Sequence, residues 1–214
     1  MIRDAATWTN YAEALAFVGN SLLAPMNQTG TVGLEPTFWE GFPSFDDVHV
    51  AVALEACEAY ATAAQQLAAD GSNPVQQASV EYTKLFVGPP RPAAAPWETM
   101  YRPGSEGATV GFGQATFEMR ALLREAGLEV SNENNQYADH IGIELLYASV
   151  LCERLAQADG DDAAQEELVE KLKGFADEHP LAWIGKLQVA VAAVEPAGYI
   201  AAMLELGRAL LASI

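Results

Sequence analysis

Asp139, His140 and Glu144 are the ionisable side chains whose types and spacing could do chemistry. His140 and Glu144 stand four residues apart, so in a helix they share one face, a spacing that can bring two metal ligands or an acid–base pair together. A metal centre needs further ligands. The remaining histidines, His49 and His179, fall in separate segments, and the Glu-x-x-His repeats of helical di-iron bundles are absent. No metal is therefore expected. A small helical enzyme using Asp139, His140 and Glu144 on a metal or as acid–base groups stands as the alternative reading.

Other reactive patterns are weaker. There is no Gly-x-Ser-x-Gly elbow and no phosphate-binding loop, and the glycine-rich "GATVGFG" follows no strand. Cys57 and Cys152 both lie in helical patterns, where packing as free thiols is the simpler role. No catalytic residue and no cofactor is expected.

One stretch asks for a different kind of chemistry. "EYTKLFVGPPRPAAAPWETMYRPG", Glu81 to Gly104, begins as a helix and then gathers five of the chain's 11 prolines: Pro89, Pro90, Pro92, Pro96 and Pro103. Proline fixes φ and removes a backbone donor, so this segment cannot continue as helix or join a sheet. Yet it carries Phe86, Trp97, Met100 and Tyr101. Those side chains must lie against the helical body, as a cover, or against a guest. A groove rimmed by so stiff a loop binds an apolar peptide at low ordering cost.

The elements that position these residues read as helices nearly throughout. Trp8, Tyr11, Leu15, Val18 and Leu22 make one apolar stripe ending before Pro25. Ser44 and Asp47 read as a capping-box start for a helix to about Ala69, with Val50, Leu54, Cys57, Ala61 and Ala64 inward. Asn73-Pro74 opens a helix whose buried face is Val75, Ala78, Tyr82 and Leu85, ending at Gly88-Pro89. Further helices are expected near Gln114–Ala126, Tyr137–Ala158 (after a polar "SNENNQ" turn) and Asp162–Glu178, the last with Leu168, Leu172 and Phe175 inward. Pro180 restarts a helix through Trp183, Leu187, Val191 and Val194, and Pro196 starts the final one. With no alternating strand pattern, repeat or linker, the expectation is one all-α domain over residues 1–214, a bundle of seven to nine helices.

Composition narrows the partners. Eleven basic residues against 29 acidic ones give a formal charge of −18. That disfavours nucleic acid and anionic membranes and favours basic partners. No stretch approaches the roughly 20 apolar residues of a membrane span, and no signal peptide is read at the start of the chain. A reduced, cytoplasmic protein, monomer or dimer, is expected.

Several motifs resemble a known family. Tyr82-x-x-Leu85-Phe86-x-Gly88-Pro89 followed by Pro96-Trp97-Glu98-Thr99-x-Tyr101 is similar to the signature of the TorD/DmsD family of redox-enzyme maturation chaperones. Asp139-His140-x-x-x-Glu144-Leu145 resembles its second motif, and Phe175, His179 and Trp183 a third. Thr99 replaces the commoner serine, and Tyr137-Ala138 stands where a proline often precedes the Asp-His pair. The resemblance implies an all-α chaperone that binds the twin-arginine signal peptide and apo-form of a molybdenum-cofactor oxidoreductase. It implies a peptide-binding set of Leu85, Phe86, Pro96, Trp97, Tyr101, Asp139 and His140. Asp139 would face the leader's cations and the aromatics its apolar half.

Overall fold

The computed structural model describes residues 3–104, 109–130 and 136–214. Residues 107–108 of the glycine-rich run and 131–135 of the polar turn lie outside the described residues. The helices are α1 (Ala5–Leu23), α2 (Pro36–Glu40), α3 (Val48–Ala69), α4 (Pro74–Tyr82), α5 (Gln114–Glu125), α6 (Ile141–Gln157), α7 (Asp162–Glu178), α8 (Pro180–Ala192) and α9 (Tyr199–Ala212). Among the described residues there is no strand, only an isolated antiparallel bridge between Trp97 and His140. The all-α expectation holds.

The core is built on α1 against α6, with α9 and α3 completing it. The α1 stripe is buried as its spacing requires, Tyr11, Leu15, Val18 and Leu22 all fully. Leu145, Ala148, Leu151, Cys152 and Leu155 of α6 and Met203, Leu204, Leu206 and Leu210 of α9 are buried in the same core. Gly19 and Gly142 let the backbones of α1 and α6 meet. A Cβ on Gly142 would come within 2.7 Å of the Gly19 carbonyl oxygen. Ser149 Oγ adds a 2.8 Å hydrogen bond to the Ala12 carbonyl of α1. Cys57 and Cys152 are buried free thiols, pushed up to about 12 by burial.

Three helix starts differ from the sequence expectation, each for a local or long-range reason. The chain turns at Ser44–Asp47 with Phe45 and Asp46 at positive φ, so α3 starts at Val48. Asp47 is its cap, accepting from the backbone N–H groups of His49 and Val50 at 2.8 and 3.1 Å. The final helix starts at Tyr199, not at Pro196. Its first free N–H groups, those of Tyr199 and Ile200, donate to the Glu81 carboxylate at 3.0 and 2.8 Å, a cap from 118 residues earlier. Helix α6 starts at Ile141 and not at Tyr137, with His140 as its cap. Val75 and Leu168, expected inside, are only half-buried.

Candidate functional site

The proline segment leaves the α4 axis through a wide turn, Thr83–Val87, which Gly88 closes at φ 84°. A Cβ on Gly88 would run into the Arg91 backbone, so glycine is required there twice over. Leu85 and Phe86 stay buried, and the Leu85 carbonyl accepts from Ala94 N–H at 2.8 Å, folding the loop back. The chain then crosses the entrance of α6. Glu98 N–H donates to the Asp139 carbonyl and Ile141 N–H to the Pro96 carbonyl, both at 2.9 Å, setting Trp97 opposite His140.

Asp139 locks this crossing. Its Oδ2 accepts from the Thr99 backbone N–H at 3.0 Å and its Oδ1 from the Thr116 hydroxyl at 2.8 Å. It is fully buried, so the proline loop, α5 and the α6 entrance are joined through one carboxylate. Gly113 lies so close that a Cβ there would strike Thr99, and Gly111 packs in the same way on Tyr137.

His140 turns away from that pair. Its Nδ1 accepts from the Gly142 backbone N–H at 3.0 Å, which caps α6 and assigns the ring proton to Nε2. Burial lowers its pKa to about 3, so the ring is neutral. His140 Nε2 has no hydrogen-bond partner, and neither has Trp97 Nε1. The two rings stand edge to face, 6.1 Å apart, with Phe86 at 6.2 Å from His140 and Tyr137 at 6.2 Å from Trp97. Two unpaired N–H donors thus share one aromatic seam. Trp8 on α1, Gln136 beside Tyr137, Glu144 and Tyr147 on α6 and Gln165 on α7 also carry one unpaired polar atom each.

Glu144, one turn into α6, faces a second cluster. Its Oε2 accepts from Trp183 Nε1 at 3.0 Å, and Trp183 in turn is stacked on Tyr101 at 5.3 Å. Glu98, fully buried, takes Arg102 Nε on Oε1 at 2.7 Å and His179 Nδ1 on Oε2 at 2.9 Å. Arg102 also reaches Glu118 of α5 at 2.6 Å. The polar ends of Glu98, Glu144 and His179 fall within 4.8 Å of one another. Arg102 already supplies the positive charge at this place.

The seven residues expected to bind peptide are thereby sorted. Leu85, Phe86, Pro96, Asp139 and His140 lie inside, while Trp97 and Tyr101 are half-buried. Asp139, His140 and Glu144 share a short stretch of chain, but the three are engaged by different partners and do not gather on one ligand position among the described residues. Sequence reasoning missed Phe112, 73% exposed between the two close-packed glycines, and Phe117, 54% exposed on α5. An aromatic flanked by glycines in "GFG" is the signal that marks the first. It also missed Glu98 and Arg102, whose roles depend on groups far along the chain. An apolar cleft of about 700 Å³ opens elsewhere, lined by Tyr60 and Leu67 of α3 and Ala201 of α9 and by none of the motif residues. Cavity size alone does not point to the seam.

The motif residues that meet here lie within one family match. Residues 50–189, well over half the chain, match the nitrate reductase delta subunit family. The chain belongs to that family. It is the TorD-like group that the motifs resemble. Curated relatives agree. The chain is 32% identical over 72 residues to the Tat proofreading chaperone DmsD of Salmonella typhi, covering 34% of each protein. The DmsD proteins of Salmonella paratyphi A and Salmonella typhimurium match with the same identity and coverage. These matches span about a third of the length of the curated relatives. Both halves of the seam, Trp97 from the loop and His140 from the α6 entrance, fall inside the region matched to the nitrate reductase delta subunit family.

Proposed function

We propose that the protein is a chaperone that binds the twin-arginine leader and apo-form of a molybdenum-cofactor oxidoreductase in the cytoplasm, assists cofactor insertion before export and carries out no catalysis itself. The observation that carries this reading is the pair of unpaired donors, Trp97 Nε1–H and His140 Nε2–H, on one buried seam. Leaving a buried donor without an acceptor costs about 1–3 kcal/mol, and what sets this pair apart from the single unpaired atoms elsewhere is that two donors share one seam, where one ligand would complete both. A ligand of matching chemistry offers carbonyl oxygens beside apolar groups, which is what a peptide main chain presents. Trp97 and Tyr101 supply the apolar contact. Leu85, Phe86, Pro96 and Asp139 hold them in place.

Two further features support a cationic, apolar peptide. The chain carries a formal charge of −18, which attracts the leader's arginines. Its curated relatives include Tat proofreading chaperones. No helix among the described residues is long and apolar enough to cross a membrane.

The test is calorimetric titration of a twin-arginine leader peptide, and of the same peptide with both arginines replaced by glutamine, at two salt concentrations. The leader should bind, more weakly at high salt, because exposed charges are screened over about 8 Å at physiological ionic strength. The glutamine peptide should bind more weakly and with a flatter salt dependence. Equal binding of both peptides at both salts, or no binding of either, would overturn the reading.

A further inference from the structure

We infer that Glu98 and Glu144 hold one proton between them, and that Glu144 is thereby a positioning residue for the Trp97–His140 seam. Both carboxyl groups are fully buried. Glu98 is committed on both oxygens, to Arg102 and to His179. Glu144 has a donor on Oε2 only, from Trp183, and its Oε1 has none. An ionised Glu144 would leave that oxygen bare, with its carboxylate within 4.8 Å of that of Glu98. Two ionised carboxylates at such a distance inside a protein repel strongly, and one of them binds a proton instead. A proton on Glu144 turns the bare oxygen into a donor toward Glu98.

The charges around the pair agree. Arg102 brings one positive charge and divides it between Glu98 and Glu118 of α5. His179 Nδ1 meets Glu98 at 2.9 Å from the α7–α8 junction, Trp183 donates to Glu144 from α8, and Asp139 adds a further negative charge from the segment before α6. Arg102 is thus already committed to Glu98 and Glu118, and Glu144 has no cation of its own. Burial and the nearby Glu98 hold Glu144 well above the usual carboxyl range. Burial pushes Glu98 up too, but His179 and Arg102 outweigh it and hold Glu98 low. The proton therefore resides on Glu144.

The link to the seam is short. Glu98 follows Trp97 directly, and its backbone N–H is one of the two bonds that set Trp97 opposite His140. Loss of the Glu144 proton drives Glu98 away from α6 and takes the Trp97 register with it. A group whose folded pKa is raised contributes stability that is fully present below its ordinary value, 4.5 for Glu, and is lost as pH rises through the folded value. Glu98, held low, acts in the opposite sense: its contribution is present above its ordinary value and is lost on the acid side. The Glu144 effect thus appears as pH rises above 4.5.

The experiment compares wild type with Glu144→Gln from about pH 5 to pH 10, by melting temperature without ligand and by affinity for a twin-arginine leader. The glutamine oxygen accepts from Trp183, and its NH2 donates permanently to Glu98. Wild type should lose melting temperature relative to the variant as pH rises above 4.5. Its leader affinity should fall about tenfold per pH unit once past the folded pKa of Glu144. Glu144→Gln should match wild type at the acid end and keep the pH dependence that His140, Cys57 and Cys152 give both proteins, so the wild-type-minus-variant difference isolates Glu144. The melting curves stand without any leader, whereas the affinity arm rests on the proposed function. Flat affinity beside pH-dependent melting would defeat the coupling to the seam, and absent leader binding would defeat only that function. Identical melting profiles for wild type and Glu144→Gln would overturn the shared proton. Should the variant fail to fold, infrared spectroscopy of wild type decides: a protonated-carboxyl band that persists as pH rises above the ordinary Glu value of 4.5 supports the proton, and its absence there contradicts it.

Discussion

Asp139 shows how far residue type alone can be read. As an acid near a helix start it suggests a dipole or leader-facing charge. The structure instead places it two residues before Ile141, buried, with one oxygen on Thr99 N–H and the other on the Thr116 hydroxyl. The capping role belongs to His140. What the sequence could not show is which distant donors meet the carboxylate, since Thr99 and Thr116 come from other segments. Asp139→Asn tests the assignment. The amide offers one acceptor oxygen where the carboxylate offers two, so one donor is left facing an NH2 group. Unfolding free energy from urea denaturation should drop by about 1–3 kcal/mol. Unchanged stability would contradict the lock between loop, α5 and α6.

At the level of elements the helical period was plain, because a buried stripe must recur every three to four residues. Tyr82, Leu85, Trp183 and Leu187, all expected inside from that period, are all buried. Helix ends read from nearby residues held where the cap is local, as at Asn73-Pro74, whose Asn73 side chain accepts from Gln76 N–H. They slipped by a few residues at α3 and α6, where a nearer residue than the one expected is the cap, and failed at α9, where the partner is remote. Glu81 fixes the start of α9 at Tyr199, and nothing near Pro196 announces it. The closest helix contact was equally hidden, since Gly19 and Gly142 look unremarkable in sequence yet set the α1–α6 approach. Gly142→Ala should force those backbones apart and cost about 1–3 kcal/mol, an overpacking penalty. Thermal or urea unfolding checks it. A neutral substitution would mean that α1 and α6 separate freely, and the site's scaffold would be softer than the packing indicates.

Across the whole molecule, segments far apart in the chain converge. The proline loop brings Trp97 and Glu98, the α6 entrance brings Asp139, His140 and Glu144, and the α7–α8 junction brings His179 and Trp183. The family resemblance named most of these residues, but only the fold shows that they form two adjoining sets, one aromatic with unpaired donors and one charged. Four tryptophans distributed through the fold make the account directly testable. Trp39 donates to the Gly33 carbonyl at 2.9 Å and Trp183 to Glu144 at 3.0 Å, whereas the Trp8 and Trp97 indoles are unpaired. The decisive measurement is nuclear magnetic resonance of the indole N–H signals during titration with a twin-arginine leader, with the Trp97 signal assigned by its loss in Trp97→Phe. The account predicts that the Trp97 signal moves downfield to saturation as its proton gains an acceptor, while the Trp39 signal stays in place. A leader that binds to saturation and leaves the Trp97 signal where it was would contradict it.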